Sequence, residues 1–552
     1  MRKKLLLTLC LVAANLFAQE QLPQWASDIQ TLNPGLVDSI LYYNASPAAP
    51  NTRTYVIYYN QPLNHSQSGS AHFPLRALIT VNTNGNPTTA VNHVYASGYS
   101  IMGAYLEAPD SVFAAEIDCA NEIARRYNGN FIQIEHRYFQ HSAPAQCWTN
   151  LDDLRAEEAA ADFHNFFEAL KKVLKGKYVM SGVSKGGVTT LLQHRFYPND
   201  MDIFVPYSAP FFDSDRDSTL EQYWFTHGWN QYYRDLFLTI AKNGISRKDS
   251  IFPVYLKMQG PKNTQAAIDS TYLNYLSYVT GFGYEEHAYG DTASIRLQMY
   301  RNDSIMQAKG VQYGDTVYAY MFDAYTFSLD SFPKWIDTLR KYPEPNQAPV
   351  IKRQHRHVRP FGVTYDEWWS DTVDARAYEY QAKCELGYYD CRFDHIIDSA
   401  ALAAEFNNYW KQHAGCLLDL QNPCYRSLTY SPALYNATMT ATQNATKPIL
   451  LIYGLDDAWT GGAVKDQFIN GSNVKKFILP AQNHKVAFSS NTDQAMCDAI
   501  RSALDAVLGT PQGLEEVRTE NKEPRAEKVI LNGQLYILRA GKTYDALGRE
   551  VK

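Results

Sequence analysis

The sequence predicts an α/β protein with a parallel sheet, a large insertion and a short C-terminal tail. Strand-like and helix-like segments alternate from about residue 90 to residue 210, as they do in βαβ units. A Gly-x-Ser-x-Gly sequence joins one of these strands to the next helix, at Gly182–Gly186. Buried strands reappear only near residue 450, so the chain is predicted to leave the sheet and to return to it.

The first half of the chain alternates short apolar runs with longer amphipathic ones. Residues 19–50 are predicted as an irregular or helical lead-in. The clearest helix is expected at Leu154–Leu174, where phenylalanines and leucines recur at helical spacing. A second helix fits Ser111–Tyr127 and is closed by Asn-Gly-Asn. The predicted strands are Thr54–Tyr59, Leu75–Val81, His93–Tyr99, Phe131–Ile134, Tyr178–Met180 and Ile203–Tyr207.

The later segments set the domain boundaries. Residues 212–445 contain long helical stretches and many aromatics, and we predict a mainly helical cap there, inserted between core residues 19–211 and 446–508. The second core segment carries strands at Pro448–Tyr453 and Lys476–Leu479 and a closing helix at Asp493–Leu508. Residues 509–552 are predicted to be a linker followed by a hairpin tail.

Residues 1–18 are predicted to be a signal peptide. Basic residues at positions 2–4 precede a mostly apolar run, and Ala18-Gln19 offers a cleavage point. That run is too short to span a bilayer, and no other run approaches the required ~18 apolar residues. We therefore expect an exported protein without a membrane span, located in the periplasm, on the outer surface or outside the cell.

The cysteine content and the net charge bear on disulfide bonds, metal binding and nucleic-acid binding. Of eight cysteines, Cys10 lies in the signal peptide, which leaves an odd number in an exported protein. Their spacing fixes no connectivity, but it allows the pairs Cys119/Cys147, Cys384/Cys391 and Cys416/Cys424. No group of Cys and His has zinc-site spacing, so we expect no metal and no other cofactor. The net charge of −6 argues against a nucleic-acid partner.

Ser184 is the candidate nucleophile. The strand before it and the helix-like residues after it provide the strand–turn–helix context that Gly-x-Ser-x-Gly requires. The sharp turn exposes the hydroxyl, and its glycines avoid a Cβ where a neighbouring strand or helix lies close. The backbone N–H of Lys185, at the start of that helix, is the first predicted oxyanion donor. Tyr99 N–H is the second, because its strand ends in Gly98 before more small residues; an ordinary turn is the alternative.

A serine hydroxyl needs a base within hydrogen-bond reach, and the base needs an orienting partner. Asp456 and Asp457 follow the strand that ends at Tyr453, and His484 follows the strand that ends at Leu479. The order Ser, acid, His is that of the α/β-hydrolases. The pattern does not distinguish Asp456 from Asp457, since either could cap the following helix.

Several strings in the chain resemble the S37 serine peptidases, a family of secreted tripeptidyl aminopeptidases. More distantly they resemble the S28 family of lysosomal Pro-Xaa carboxypeptidase and dipeptidyl peptidase II. The most specific strings are Ser-Gly-Val-Ser-Lys-Gly-Gly and Glu-His-Arg-Tyr-Phe. In family order over about residues 53–508, the matching stretches are Gln61–His65, Glu135–Phe139, Ser181–Gly187, Tyr453–Trp459 and Asn483–His484.

The resemblance implies an α/β-hydrolase fold with a helical cap and assigns roles to three residues. Ser184 is then the nucleophile and His484 the base. Asp457 is the acid, because the family has Asp-Pro-Trp where this chain has Asp457-Ala458-Trp459. We also expect Glu135 and Trp459 to contact substrate, although a buried pair with Arg137 is an equally good reading of Glu135.

The resemblance further implies an exopeptidase that removes dipeptides or tripeptides from the N-terminus of oligopeptides, commonly after Pro. An esterase or lipase with the same triad is one alternative, because this fold hosts many chemistries. A non-catalytic binding protein on a hydrolase scaffold is another, although all three triad positions are filled. The C-terminal hairpin resembles the short tails of secreted Bacteroidetes proteins and is a candidate sorting module.

Overall fold

The computed structural model describes residues 22–44, 51–101, 119–144, 151–214, 219–227 and 430–511, with shorter pieces within 248–272, 377–387 and 527–551. The chain divides into two compact units, residues 1–509 and 510–552. The predicted signal peptide and most of the predicted cap insertion lie outside the described residues.

The large unit is built on a mixed sheet. Nine strands of the described residues pair in the order β1-β2-β3-β5-β4-β6-β7-β8-β9. The pairs from β1 to β3 and from β3 to β5 are antiparallel, whereas β4 to β9 pair in parallel. The strands are β1 Val37–Asn44, β2 Thr52–Pro62, β3 His72–Asn82, β4 Asn92–Ala96, β5 Asn130–Ile134, β6 Tyr178–Val183, β7 Ile203–Tyr207, β8 Ile449–Gly454 and β9 Val474–Leu479.

Helices cover both faces of this sheet. The helices of the large unit with full bounds are α1 Gln24–Thr31, α2 Glu122–Arg126, α3 Ala156–Lys171, α4 Lys185–Phe196, α5 Thr219–Thr226, α6 Ala433–Gln443 and α7 Gln494–Leu508. Short 3-10 turns lie at Gln140–Ser142, Ala458–Gly462 and Asp466–Phe468, and a π-helical turn lies at Ala382–Leu386. No helix within the described ranges is both long and apolar enough to cross a bilayer.

Two hydrophobic cores lie on opposite faces of the sheet. Met180 of β6 belongs to a core formed with α3, α4 and α6, whereas its neighbour Val179 belongs to a core formed with α7. Successive side chains of a strand point to opposite faces, so a strand covered on both sides needs apolar residues in both registers. All positions of β4, β5, β7 and β8 are accordingly buried.

The arrangement is the α/β-hydrolase fold, since parallel strands run through the middle of the sheet and a nucleophile-type turn follows β6. The predicted helix at Leu154–Leu174 forms as α3 with slightly shorter ends. The sheet also contains β1, which forms in the region predicted as an irregular or helical lead-in. It pairs along the free edge of β2.

The small unit contains an antiparallel meander of four strands in the order β10-β11-β12-β13. Its strands are β10 Glu527–Leu531, β11 Gln534–Arg539, β12 Lys542–Asp545 and β13 Glu550–Val551. The sequence predicted the β10–β11 hairpin only. The two further strands are four and two residues long, too short for an alternating pattern to reveal them.

Candidate active site

Ser184 lies on a strained turn between β6 and α4. Its backbone angles are φ 58° and ψ −125°, a conformation that non-glycine residues rarely adopt. Two hydrogen bonds hold it: Ser184 N–H donates to Tyr207 O on β7 (3.0 Å), and Val188 N–H donates to Ser184 O (3.0 Å). A Cβ at Gly186 would collide with the carbonyl of Ala96 on β4. The tight packing required by the predicted elbow is therefore present.

His484 and Asp457 form a buried pair. Nδ1 of His484 lies 2.9 Å from Oδ2 of Asp457, and the side chains are 3% and 0% exposed. The other carboxylate oxygen of Asp457 accepts a hydrogen bond from Trp459 N–H (3.0 Å) at the start of the next turn. Asp457 is thus both the histidine partner and the helix cap, two functions that the sequence had divided between Asp456 and Asp457.

The two loops that carry this pair are joined through their backbones. Leu455 N–H donates to Leu479 O, and Asp456 N–H donates to Gln482 O, each at 2.9 Å. A Cβ on Gly454 would collide with the carbonyl of Gln482. Because β6, β8 and β9 are parallel members of one sheet, their carboxyl ends meet at the same edge. Ser184, Asp457 and His484 all follow those ends.

A buried carboxylate anchors the loop that follows His484. Glu122 is 3% exposed and accepts hydrogen bonds from Ser489 N–H (2.8 Å), Phe488 N–H (3.4 Å) and the Tyr207 hydroxyl (2.7 Å). Burial raises the pKa of Glu122 to about 7. Sequence reasoning missed this residue, because nothing in its local sequence distinguishes it from a surface helix glutamate.

The loop that carries Tyr99 lies against the start of α4. Gly98 has φ +76°, and a Cβ there would lie 2.5 Å from Gly186 N. The ammonium of Lys185 donates to Gly98 O at 2.5 Å. It also lies 5.3 Å and 5.1 Å from the ring centroids of Tyr99 and Phe139. The sequence predicted a role for the backbone of Lys185 but not for its side chain.

Residues 380–387, which we call the cap segment, contribute a carboxylate near this lysine. Glu385 Oε2 accepts a hydrogen bond from Ala156 N–H, the first residue of α3, at 2.8 Å. Burial raises the pKa of Glu385 to about 7. Burial lowers the pKa of Lys185 to about 7, while the charge of Glu385 acts in the opposite direction. Part of the predicted insertion therefore lies beside the elbow.

A second part of the insertion covers the acid loop. The Tyr223 hydroxyl of α5 donates to Leu455 O at 3.0 Å. A Cβ on Gly461 would collide with the backbone of Leu220 on the same helix. The ring of Trp459 lies 6.1 Å from that of His484, so Trp459 is next to the pair, and its contact with substrate stays a prediction.

Glu135 is placed differently from the prediction. It is fully buried, and its oxygens accept hydrogen bonds from Arg76 (2.5 Å), Ser142 (3.0 Å) and Ile101 N–H (3.2 Å). Its ion-pair partner is therefore Arg76 rather than Arg137. Both carboxylate oxygens of Glu135 accept hydrogen bonds from protein donors. Glu135 therefore holds the surrounding loops rather than contacting substrate as had been predicted.

Arg137 instead pairs with Asp162 of α3. Its Nε and Nη2 atoms donate to the two oxygens of Asp162 at 2.7 Å and 2.8 Å. Both side chains are fully buried. The guanidinium also donates to the carbonyls of Leu63 and Asp153. The Glu-His-Arg-Tyr-Phe string thus contributes a structural ion pair as well as residues near the site.

One group within the described residues has the composition of a cation site. Ligand atoms of His164, Glu168 and Asp200 lie within 4.8 Å of one another. The Lys171 ammonium lies 3.0 Å from Glu168 and 3.6 Å from Asp200. A protein cation thus already balances these carboxylates, and we assign the group no metal.

Each predicted cysteine pair includes at least one residue outside the described ranges. Cys497 is a buried free thiol on α7. The partners suggested for Cys119 and Cys384, namely Cys147 and Cys391, lie outside the described residues, as do Cys416 and Cys424.

Comparison with known proteins identifies the family. The family described as PS-10 peptidase S37 matches residues 40–326, slightly more than half of the chain. The chain belongs to the PS-10 peptidase S37 family. A prolyl tri/tetrapeptidyl aminopeptidase of Streptomyces mobaraensis is 27% identical over 248 residues, which are 44% of this chain and 48% of that protein. The match therefore spans about half the length of this relative.

Solved structures similar to this S37 family member include a rice cell wall degrading esterase, LipA, from Xanthomonas oryzae. It has a TM-score of 0.36 and 13% identity, with 86% of this chain and 100% of the esterase covered. The proline iminopeptidase of Mycobacterium smegmatis has a TM-score of 0.28 and 12% identity, with coverages of 85% and 98%. The assignment of the fold therefore depends on the sheet order and the elbow themselves.

Proposed function

We propose that this S37 family member is an exported serine exopeptidase. It releases dipeptides or tripeptides from the N-terminus of oligopeptides, preferentially after Pro. The observation that carries the proposal is the buried contact of 2.9 Å between His484 Nδ1 and Asp457 Oδ2, at the same sheet edge as the strained Ser184. Membership of the S37 family and the similarity to a prolyl tri/tetrapeptidyl aminopeptidase support the substrate class.

The proposed reaction is acyl transfer through Ser184. Asp457 accepts the Nδ1–H of His484, which fixes the tautomer in which Nε2 is a base. Nε2 takes the hydroxyl proton as Oγ attacks the scissile carbonyl, and then returns that proton to the leaving amine. Water attacks the resulting ester by the same route and regenerates the serine.

The proposed oxyanion donors are the backbone N–H groups of Lys185 and Tyr99. Lys185 N–H is the first N–H of α4, where the helix dipole also favours negative charge. The Gly98–Tyr99 loop packs directly on the start of that helix. One such donor typically contributes ~3 kcal/mol to lowering the barrier. Trp459, beside His484, is the proposed substrate contact.

The elements of the predicted insertion support action on peptide ends. Helix α5 lies over the acid loop, and the cap segment reaches α3 beside the elbow. Structure on two sides of a catalytic centre restricts which part of a long chain can reach it. A free peptide end fits such a site better than the middle of a folded protein.

The decisive test combines active-site labelling with product analysis. Wild type is expected to react with a fluorophosphonate probe and to hydrolyse a prolyl tripeptide p-nitroanilide, and Ser184→Ala is expected to lose both activities. Mass spectrometry of the products from a peptide library then reports which end is cleaved and after which residue. A wild type that takes up no label, or a Ser184→Ala variant as active as wild type, contradicts the proposal.

The same preparation tests the esterase alternative. Rates on the prolyl p-nitroanilide and on a p-nitrophenyl acyl ester are measured side by side on unlabelled enzyme, at equal concentrations of active sites as titrated with the fluorophosphonate in a separate sample. A peptidase hydrolyses the amide at a rate that depends on the peptide sequence. Turnover of the ester alone would assign the triad to ester hydrolysis.

A further inference from the structure

We propose that the side chain of Lys185 is a positioning residue that orients the Gly98–Tyr99 peptide and thereby the second oxyanion donor. The inference rests on the proposed function, because it gives Tyr99 N–H a role in acyl transfer. The proposed mechanism uses only the backbone N–H of Lys185, and the side chain of Lys185 now receives a role as well.

Lys185 and the Tyr99 N–H are linked through one peptide group. Lys185 Nζ donates to Gly98 O at 2.5 Å. That carbonyl and the Tyr99 N–H belong to the same planar group, and the bond between them is trans. In a trans peptide the C=O and N–H point in opposite directions. A donor that fixes Gly98 O on one side therefore fixes the direction of Tyr99 N–H on the other.

Glycine makes such an external hold necessary. Gly98 has φ +76°, and a glycine can adopt several other conformations at little cost. The following carbonyl is held separately, since Tyr99 O accepts hydrogen bonds from Ser97 Oγ (2.8 Å) and His136 N–H (3.0 Å). The peptide groups before and after Tyr99 are thus both fixed, the first of them by Lys185.

The surroundings of the ammonium argue against a role in packing alone. Lys185 is 4% exposed, and burial of a charged group is costly unless the charge is compensated. The Gly98 carbonyl, the faces of the Tyr99 and Phe139 rings, and the charge of Glu385 compensate part of this cost, although burial still lowers the pKa of Lys185. An apolar side chain would fill the same volume without that cost.

The test replaces the donor but keeps the volume. Lys185→Met removes the hydrogen bond to Gly98 O. Lys172→Met is the matched control, because Lys172 also donates to a backbone carbonyl (Leu32 O, 3.1 Å) but is exposed at the C-terminal end of α3. Rates on the prolyl p-nitroanilide are expressed per active site titrated with the fluorophosphonate. We expect kcat of Lys185→Met to fall about 10- to 100-fold with KM within about two-fold, and Lys172→Met to match wild type.

A second variant provides a readout that a packing role would not affect. Lys185→Ala leaves room for a small amine, and propylammonium is expected to restore part of its kcat, with methylammonium less effective. Ammonium-free controls at matched ionic strength separate this effect from salt. Lys185→Met with a kcat equal to that of Lys172→Met overturns the inference, as does a Lys185→Ala variant whose loss is confined to KM or is unaffected by amines.

The result remains distinct from a failure of the proposed function. If Ser184→Ala keeps the wild-type rate, the acyl-transfer mechanism itself fails. If Ser184→Ala is inactive while Lys185→Met is fully active, only the positioning role of Lys185 is wrong.

Discussion

Asp457 bonds His484 through one carboxylate oxygen and caps the following turn through the other. The imidazole is therefore held by a carboxylate that cannot rotate without losing the cap. In this site the orientation of the base and the start of the 458–462 turn depend on the same side chain.

This arrangement predicts that substituting two adjacent aspartates has very different effects on kcat. Asp457→Asn keeps the size of the side chain but favours the wrong imidazole tautomer, and we expect kcat to fall about 10⁴-fold. Asp456→Asn is the matched control and should retain activity within about two-fold, since the backbone N–H that Asp456 donates to Gln482 O is unchanged by the substitution. Steady-state kinetics on the prolyl p-nitroanilide measure both. Equal losses in the two variants would contradict the assignment of the acid.

The close packing at the elbow predicts a large loss of stability from one methyl group. The Cβ of Gly186→Ala would meet the carbonyl of Ala96, which is fixed in β4. We expect a loss of ~3 kcal/mol or more in the free energy of unfolding. Gly471→Ala is the control, because nothing lies within 4 Å of a Cβ there. Urea denaturation followed by tryptophan fluorescence measures both, and a Gly186→Ala variant as stable as Gly471→Ala would contradict this packing.

Removing the buried ion pair between Arg137 and Asp162 should lower the free energy of unfolding more than removing a surface pair does. Arg137→Met removes the buried arginine partner of Asp162 and leaves the carboxylate with the contact to His65 Nε2 at 2.8 Å; removing one member of a buried ion pair typically costs ~3–5 kcal/mol. Arg155→Met removes a contact of 3.5 Å to Glu158 from an arginine that is 46% exposed, and should cost less than ~1 kcal/mol. Thermal denaturation compares the two. A similar small shift in both variants would mean that the buried pair adds little.

Glu122 predicts a dependence of stability on pH. Its pKa is about 7 in the folded protein, above the ordinary value of 4.5, because burial disfavours the charged form. The folded state therefore binds the proton more tightly, and this contribution is present below pH 4.5 and is lost as the pH rises towards 7. The shift corresponds to ~3 kcal/mol.

Glu122→Gln cannot lose a proton, so the stability of wild type relative to this variant should fall between pH 4.5 and 7. Urea midpoints at several pH values measure the difference. Glu157→Gln, at an exposed position on α3, is the control and should follow wild type at each pH. Parallel curves for wild type and Glu122→Gln would contradict the prediction.

Local sequence was sufficient for much of the fold. The strand and helix around Ser184 could be predicted because Gly-x-Ser-x-Gly between them has a steric reason that does not depend on the rest of the chain. Helix α3 could be predicted because its buried face repeats at helical spacing. Strand β1 could not, because an edge strand forms by pairing with β2 and carries little periodicity of its own.

Pairings between distant residues were the least predictable part of the site. Glu135 lies two residues from Arg137 in sequence, and the sequence suggested a pair between them. In the structure Glu135 meets Arg76 from the neighbouring strand β3, and Arg137 meets Asp162 from α3. Side chains two residues apart in sequence can point towards different parts of the fold. Because a buried charge is almost always paired, each one pairs with the opposite charge that the fold places beside it.

The order of chemical groups along the chain was fixed by the sequence alone. Ser184, Asp457 and His484 each follow a strand, and strand propensity and glycine sterics are local properties that a sequence displays directly. The tertiary structure alone decided that one aspartate, Asp457, both meets the imidazole and caps the next turn, that Glu122 holds the loop after His484, and that the ammonium of Lys185 reaches Gly98 O. These contacts join residues far apart in sequence or depend on which way a side chain faces. Their geometry is set by how strands and helices pack, which no local pattern encodes.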